Sequence, residues 1–241
     1  MNIAIIFAGG SGVRMGAGMP KQFLEINGKP IIIHTLDNFQ RNPNIDKIYI
    51  SCKKDYMDTL KDLTNRFAIS KVCRIVEGGA NGQDSIYRAL CAAYEENDEK
   101  SIVLIHDGVR PFINADVIQK NIESVKAHGS AVTCTSFIET PILSKGGEMV
   151  EDMPLKKEMF TAQAPQSFYL GDIVKAHQKM REINPDYIDI ADSCNLLRNL
   201  GHDIYIVEGN RGNIKVTTPE DFYTLRALLQ YRENEQILGL K

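Results

Sequence analysis

The residues most able to do chemistry lie near the start of the chain, where a glycine-rich stretch is followed by basic side chains. An apolar run at 3–7 predicts a buried strand, and three glycines follow it within residues 9–12. Such a loop can turn sharply and aim several backbone N–H groups at one ligand, an arrangement that suits a phosphate. Arg14 and Lys21 add two positive charges beside it. The pattern predicts a phosphate site, and the alternative is a tight strand-to-helix turn with two solvated cations.

This loop differs from both common nucleotide-binding loops. The dinucleotide pattern requires glycine at its third conserved position, where this chain has Met15. The P-loop pattern requires Ser or Thr after Gly-Lys, but Gly28-Lys29 is followed by Pro30. The sequence therefore indicates a phosphate-binding loop of a third kind.

Two further segments place candidate residues directly after predicted strands. Gly78-Gly79 and Asp107 each follow such a strand, and His106, beside Asp107, is expected to brace its loop in the neutral form. In open parallel sheets, ligands bind beyond the carboxyl ends of the strands. We therefore expect these segments and the glycine-rich loop to converge at one edge of the sheet.

Five side chains near these segments are candidates for specific roles. Asp107 suits Mg²⁺, which binds one or two carboxylates together with substrate phosphates; otherwise it caps a helix or pairs with Arg110. Arg110 can hold that aspartate or a phosphate. Ser85 either caps the helix that starts near it or donates to a nucleotide base. Lys215, on a short predicted strand, is by itself an ordinary surface lysine, and Thr218 is predicted to cap the helix that follows.

The elements that position these residues alternate between strand and helix along the chain. This order predicts an α/β fold with a Rossmann-like, mostly parallel sheet flanked by helices. The length of 241 residues suits one domain over 1–241. The predicted strands are 2–7, 46–52, 72–77, 101–106, 129–137 and 203–207. The predicted helices are 30–40, 55–66, 83–95, 114–127, 170–182, 192–199 and 218–231.

The segment at 138–163 interrupts this alternation. Gly146-Gly147 lies between short apolar runs, which predicts a β-hairpin. A hairpin that protrudes from a compact sheet must bury its apolar face elsewhere, so a second subunit is a natural partner. The alternative is an exposed excursion that packs on its own chain.

The composition argues against several classes of function. The net charge of −3 does not supply the basic field typical of a nucleic-acid-binding protein. No apolar run approaches the ~20 residues that span a membrane, and residues 1–8 lack the features of a signal peptide. Five dispersed cysteines without a C-x-x-C pair indicate reduced thiols. We therefore expect a cytoplasmic protein with no nucleic-acid or membrane partner.

Several ordered motifs, taken together, resemble the pyrophosphorylase-type nucleotidyltransferases. Within them the chain is similar to the cytidylyltransferases that act on 2-C-methylerythritol 4-phosphate and on ribitol 5-phosphate. The resemblance covers almost the full length. Its motifs are A-G-G-x-G-x-R-M-G with P-K-Q, Gly78-Gly79 with Gln83-Asp84-Ser85, His106-Asp107-Gly108-Val109-Arg110-Pro111, Pro165-Gln166 and Asn213-Ile214-Lys215-Val216-Thr217.

The resemblance implies CTP as the nucleotide and Mg²⁺ as the cofactor, held by Asp107. Arg14, Lys21 and Lys215 would be the catalytic cations that act on the phosphates. Backbone carbonyls near Ala8 would accept from the cytosine amino group, which uracil lacks. The nucleotide-binding residues that the resemblance implies are Ala8, Gly9, Gly10, Ser11, Gly12, Gly79, Ala80, Ser85 and Arg110.

The resemblance also implies a homodimer whose arms, at 138–163, interlock two subunits. Lys156 would reach from the partner subunit to the phosphate of a small polyol phosphate, the acceptor. The acceptor-binding positions are Asp107, Thr140, Lys156, Ala164 and Ala191. This chain departs from the family's pattern at Ala164 and Ala191, which replace hydroxyl residues, and at Gly82, which replaces an arginine or another polar residue.

The sequence leaves two candidate acceptors, each a small polyol phosphate. D-Ribitol 5-phosphate, which would give CDP-ribitol and pyrophosphate, is favoured by the residues around Asp107 and Gln166. The alternative is 2-C-methyl-D-erythritol 4-phosphate, an intermediate of isoprenoid biosynthesis. More distant alternatives are a nucleotide-sugar glycosyltransferase, whose usual D-x-D motif is missing here, and a CTP sensor.

Overall fold

The computed structural model describes residues 1–10 and 19–239, except for the side chains of 236–238. Its strands are β1 (Asn2–Ala8), β2 (Glu25–Ile26), β3 (Lys29–Pro30), β4 (Lys47–Cys52), β5 (Val72–Glu77), β6 (Ile102–Asp107), β7 (Ser130–Ser136), β8 (Phe160–Tyr169) and β9 (Ile206–Glu208). Its helices are α1 (Ile31–Arg41), α2 (Met57–Arg66), α3 (Gly82–Glu96), α4 (Ala115–His128), α5 (Leu170–Ile183), α6 (Ser193–Asn199) and α7 (Pro219–Leu238).

The central sheet has the strand order β5-β4-β1-β6-β8-β7-β9. Its neighbouring strands are parallel, except that β8 runs antiparallel to both β6 and β7. β2 and β3 form a separate short antiparallel pair. The predicted mostly parallel sheet flanked by helices is confirmed.

The central strands are nearly continuous apolar runs, and successive side chains of a strand point to opposite faces of the sheet. Both faces of the sheet are therefore apolar. In β1, Ala4 and Ile6 pack beneath α1, α2 and α4, whereas Ile3 and Ile5 pack beneath α3, α5 and α6. Burial of each large aliphatic side chain contributes about 1.5–3 kcal/mol. A third cluster, around Val216, joins α7 to β2. Among the described residues, no helix combines the length and the hydrophobicity needed to cross a bilayer.

β8 was not predicted, because its sequence does not look like a central strand. It contains Pro165, which cannot donate a hydrogen bond to a neighbouring strand. Proline is therefore normally absent from central strands. The pairing of β8 with β7 shifts register between Val132 and Cys134, and this irregularity accommodates the proline. The last residues of the predicted arm, 160–163, consequently belong to the sheet.

The predicted hairpin in the arm is reduced to one antiparallel bridge. Leu143 N–H donates to the Asp152 carbonyl at 2.9 Å, and Glu151 N–H donates to the Leu143 carbonyl at 2.8 Å. Gly147 has φ +78°, a left-handed conformation that glycine adopts at little cost. Large apolar side chains of the arm are exposed in the single chain: Ile138, Ile142, Leu143, Met149, Val150, Met153 and Leu155.

Buried polar side chains fix β8 against its neighbours. Asn121 of α4 is fully buried, and its amide donates to Thr133 Oγ1 at 2.9 Å. Asn121 Oδ1 accepts from Ser167 Oγ at 2.9 Å, while Thr133 Oγ1 donates to the Pro165 carbonyl at 2.7 Å. The network therefore links α4, β7 and β8 at the point where the ladder is irregular.

Asn121→Ala should lower the free energy of unfolding by about 2–3 kcal/mol, because it leaves the buried hydroxyl of Ser167 without its acceptor and removes the amide that donates to Thr133 Oγ1. Urea denaturation measures this loss. Lys126→Ala, an exposed change on the same helix, is the matched control and should change stability by less than about 0.5 kcal/mol. Equal losses in the two variants would contradict the role of the network.

Candidate active site

A first cavity, of about 430 Å³, opens at the carboxyl ends of β1, β4 and β5. The strand register creates it, since Cys52 pairs with Ala8 on one side and with Glu77 on the other. The start of the glycine-rich loop and Gly78-Gly79 therefore lie on either side of the segment that follows β4, and their convergence at one edge of the sheet was predicted from the sequence. Residues of the predicted nucleotide set that line this cavity are Gly9, Gly10, Gly79, Ala80 and Ser85. Ser11, Gly12 and Arg14 lie outside the described residues.

Two glycines are needed here because side chains pack directly against the backbone. A Cβ on Gly9 would lie 3.0 Å from Ser85 Oγ, and a Cβ on Gly79 would overlap the Asp84 carboxylate. A side chain at either position would therefore require Ser85 or Asp84 to move.

Ser85 closes the second of these loops. Its hydroxyl accepts from Gly79 N–H at 2.9 Å and donates to the Asn81 carbonyl at 2.8 Å. The cap of α3 is Asn81, whose side chain accepts from Asp84 N–H at 2.9 Å. The alternative in which Ser85 caps the helix is therefore wrong. Donation from Ser85 to a base stays a prediction, and it would require the hydroxyl to turn away from Asn81.

Asp84 and Arg181 brace the same loop from outside the cavity. Asp84 accepts from Ala80 N–H at 3.1 Å and from Arg181 at 2.6 Å. Burial alone would raise the pKa of Asp84, but the hydrogen bonds from Arg181 and Ala80 outweigh it and lower that pKa. Arg181 also lies over the Tyr87 ring, 4.9 Å from its centre. Sequence reasoning missed Arg181, because nothing near it on α5 points to the loop.

Gln22 fixes the start of the glycine-rich loop. This side chain is buried, and its Nε2 donates to the Ala8 carbonyl at 2.6 Å and to the Gly10 carbonyl at 3.3 Å. The Ala8 carbonyl retains a second lone pair for a ligand. Lys21, the preceding residue, begins a short 3₁₀ turn at Lys21–Phe23 and is half-buried.

A second cavity, of about 290 Å³, adjoins the first and shares Phe7 and Gly82 with it. It lies over the ends of β6 and β8 and the start of α6. The candidate residues that line it are Asp107, Arg110, Ala164, Ala191 and Lys215. Arg110 was predicted with the nucleotide-binding set, but the structure places it in the second cavity, together with the predicted acceptor-binding residues Asp107, Ala164 and Ala191.

The buried Asp107 carboxylate lies between two cations. Arg110 Nε contacts one oxygen at 2.7 Å, and Lys215 Nζ contacts the other at 2.6 Å. Burial alone would raise the pKa of Asp107, but the charges of Lys215 and Arg110 outweigh it and lower that pKa. The carboxylate is therefore ionised at neutral pH, and the predicted pairing with Arg110 is confirmed.

Lys215 lies on an irregular segment, not on the predicted strand. Val216 N–H donates to the Val109 carbonyl at 3.0 Å, and the Asn213 carbonyl accepts from Arg110 at 2.8 Å. The segment ends at Thr218, whose predicted capping of α7 is confirmed. These contacts hold Lys215 at Asp107.

Amide and hydroxyl side chains outside the predicted set of site residues also line the second cavity. They are Gln83, Gln163, Gln166 and Ser193. Three of their buried atoms have no hydrogen-bond partner among the described residues: Gln83 Oε1, Gln163 Oε1 and Ser193 Oγ. Amides both donate and accept, so this lining suits a ligand that carries several hydroxyl groups.

Thr140 and Lys156 lie outside both cavities of the single chain. Both are exposed on the arm, and Lys156 begins a short 3₁₀ turn at Lys156–Glu158. Their predicted contact with an acceptor stays a prediction.

Asp107 could hold a divalent cation only together with substrate phosphates, because it is a single carboxylate. No group of three or more His, Cys, Asp or Glu side chains in the described part of the chain could hold a metal ion. One carboxylate beside substrate phosphates is nevertheless a common environment for Mg²⁺. Asp107 would share its charge between such an ion and the two cations that already contact it.

His106, next to Asp107, is fully buried and supports the turn that carries Arg110. Its Nε2 lies 3.0 Å from the Arg110 carbonyl, so this nitrogen carries the proton and donates. Burial lowers the pKa of His106 to about 4, which keeps the ring neutral as predicted.

Comparison with known proteins gives consistent relatives over the whole fold. Residues 2–231 match the family model described as IspD, 2-C-methyl-D-erythritol 4-phosphate cytidylyltransferase. A ribitol-5-phosphate cytidylyltransferase from Vibrio parahaemolyticus is 46% identical, over 99% of this chain and 100% of the relative. A 2-C-methyl-D-erythritol 4-phosphate cytidylyltransferase from Clostridium botulinum is 34% identical, over 95% of this chain and 97% of the relative. The crystal structure of 4-diphosphocytidyl-2C-methyl-D-erythritol synthase from Anaerococcus prevotii superposes with a TM-score of 0.81 at 28% identity, covering 95% of this chain and 96% of that one.

The neutral state of His106 should make stability fall with acidification. Its pKa drops from 6.5 in the unfolded chain to about 4 in the folded protein. Between these values the unfolded chain binds the proton and the folded protein does not, so stability is lost as pH falls, by up to about 3 kcal/mol. Urea denaturation measures the free energy of unfolding at pH 7 and at pH 4.5. Between these pH values it should fall by about 2–3 kcal/mol less in His106→Gln than in the wild type.

The exposed His202 supplies the control, since His202→Gln should keep the wild-type pH dependence. His177 is also buried, with its pKa lowered to about 3, so part of the acid dependence should persist in His106→Gln. An unchanged pH dependence in His106→Gln would contradict the neutral state of His106.

Proposed function

Because the chain belongs to the IspD family of cytidylyltransferases, we propose that it transfers CMP from CTP to D-ribitol 5-phosphate and releases pyrophosphate. The observation that carries this proposal is the pair of adjoining cavities that share Phe7 and Gly82. One is walled by glycines and backbone, which suits a flat base. The other holds cations and amides, which suit a polyol phosphate.

Two observations favour the ribitol acceptor over the methylerythritol alternative. The chain is 46% identical over its whole length to relatives named for ribitol 5-phosphate, against 34% for those named for methylerythritol phosphate. A linear pentitol also offers several hydroxyls to the amides of Gln83, Gln163 and Gln166.

The proposed reaction is an in-line displacement at the α-phosphorus of CTP. An oxygen of the acceptor phosphate forms the new P–O bond, and the bond between the α-phosphorus and the bridging oxygen breaks as pyrophosphate leaves. The acceptor phosphate is already ionised near neutral pH, so no general base is required. Catalysis therefore rests on positioning and on compensation of charge.

The basic residues would divide this charge between them. Lys21 and Arg14 would hold the β- and γ-phosphates and the charge that develops on pyrophosphate. Lys215, fixed at the cavity by Asp107, would neutralise the α-phosphate. Mg²⁺ held by Asp107 would neutralise further phosphate charge.

Selection of cytosine would depend on backbone carbonyls. The free lone pair of the Ala8 carbonyl and the carbonyls of the loop at 78–82 can accept from the cytosine amino group. Uracil presents a carbonyl at that position, so two acceptors would face each other.

The arm at 138–163 would complete each site in a homodimer. Its exposed apolar side chains need a covering surface, and Lys156 lies among them. In the dimer Lys156 would contact the acceptor phosphate in the partner's second cavity, which Ala164 and Ala191 line. All five cysteines are free, which together with CTP as substrate favours a cytoplasmic location.

A pyrophosphate-release assay with each nucleoside triphosphate tests the proposed substrates. With ribitol 5-phosphate, CTP should be used at least about 10²-fold better than UTP, because uracil would leave buried acceptors unpaired. With CTP, ribitol 5-phosphate should exceed 2-C-methyl-D-erythritol 4-phosphate and glycerol 3-phosphate in kcat/KM. Equal use of UTP would contradict the cytosine site, and preference for methylerythritol phosphate would contradict the acceptor.

Mixing two inactive variants tests whether subunits share the site. Lys21→Ala and Lys156→Ala should each lose activity by orders of magnitude, while their mixture should recover about one quarter of wild-type activity after subunit exchange. Recovery is expected because one of the two sites in each heterodimer takes both lysines from intact copies. Exchange is verified first with tagged chains.

The exposed neighbour Lys157 provides the control, since Lys157→Ala should stay active. Absence of recovery despite verified exchange would show that one chain supplies the whole site. A monomer in sedimentation at the assay concentration would also remove the role proposed for Lys156.

A further inference from the structure

We propose that Lys53 is a nucleotide-binding residue, whose ammonium group attracts the anionic nucleotide in the first cavity. This inference rests on the proposed function. Lys53 directly follows Cys52, the last residue of β4, which lies between Ala8 and Glu77 in the sheet register. The lysine therefore leaves the sheet between the two glycine loops, where it lines the cavity and is half-buried.

The charge of Lys53 stands alone in its surroundings. Among the described residues that line the first cavity, Lys53 carries the only charged side chain. Within the described part of the chain its ammonium group takes part in no ion pair or hydrogen bond, whereas Lys215 in the adjoining cavity is bound to Asp107. A cation that faces a cavity without a carboxylate favours an anionic occupant.

The position of Lys53 distinguishes it from the cations that act on the reacting phosphates. It lies at the end of β4, beyond β1, whereas Asp107 and Lys215 lie on the other side of β1. Its attraction for the nucleotide should therefore be nearly the same in the ground state and the transition state. Such uniform binding lowers KM and leaves kcat almost unchanged.

A substitution at Gly82 can supply a positive charge to the first cavity from a position other than that of Lys53. It is the first residue of α3 and lines the same cavity, and no atom lies within 4 Å of a Cβ built on it. An arginine at this position can therefore extend into the cavity from the opposite wall. If charge is what Lys53 supplies, this substitution should restore it.

The test compares Lys53→Ala and Lys53→Gln with the wild type in the pyrophosphate-release assay, at saturating ribitol 5-phosphate. Both variants should raise the KM for CTP about five- to tenfold and change kcat by less than about twofold. Their KM should also respond less to added salt, because one screened charge is lost. Lys54→Ala is the matched control: it removes an exposed charge one residue away, outside the cavity, and should leave KM unchanged. Gly82→Arg in the Lys53→Ala background should return KM most of the way to the wild-type value.

An unchanged KM in the Lys53 variants, or a loss confined to kcat, would overturn the proposal. A raised KM that Gly82→Arg does not reduce would overturn the assignment to charge. Circular dichroism and thermal unfolding establish that the variants are folded, and the glutamine variant keeps most of the side-chain stem. Calorimetric titration with CTP alone separates the two hypotheses: a wild-type protein that binds no CTP refutes the proposed function, whereas equal binding by wild type and Lys53→Ala refutes only the role of Lys53.

Discussion

The ionised carboxylate of Asp107 is buried, and the arrangement of the active site depends on how its charge is compensated. An isolated buried charge costs several kcal/mol, so Arg110 and Lys215 must both approach it closely. To do so, Arg110 also bonds the Asn213 carbonyl, while Asn213 bonds the Ala164 carbonyl at 2.6 Å. The two ion pairs of Asp107 and these hydrogen bonds thus join β6, the segment before α7 and β8, which are distant in the sequence.

The two cavities are also coupled outside this ion pair. Asp84 links the loop of the first cavity to Arg181 of α5, and Asn81 donates to the Asp186 carbonyl at 3.0 Å. Asp186 belongs to the connection between α5 and α6 that brings Ala191 to the second cavity. Hydrogen bonds therefore connect the loop of the first cavity to the segment that lines the second. Gly82, which lines both cavities, lies at the boundary between them.

Local patterns predicted most of the fold and the position of the site, but not the contacts within it. Buried parallel strands are continuous apolar runs, so their ends could be located, and the strand-end rule then brought Asp107 and Gly79 together. β8 was missed because Pro165 is atypical of a central strand, and the register irregularity that tolerates it is a tertiary feature. The roles of Gln22 and Arg181 depend on partners that are distant in sequence, so no spacing reveals them.

The pairing of Asp107 with Arg110 and Lys215 also bears on the proposed reaction, whose substrates are highly charged. Transfer between phosphates requires cations that are in place before the charge develops, because reorientation during the reaction would cost free energy. Flexible lysines in water do not meet this condition, but Lys215 is held at 2.6 Å by a carboxylate that is itself fixed by Arg110. The carboxylate compensates part of the positive charge when the site lacks substrate, so the cations do not repel one another. In the proposed reaction, substrate phosphates would replace part of this compensation, and the cations would need to move little.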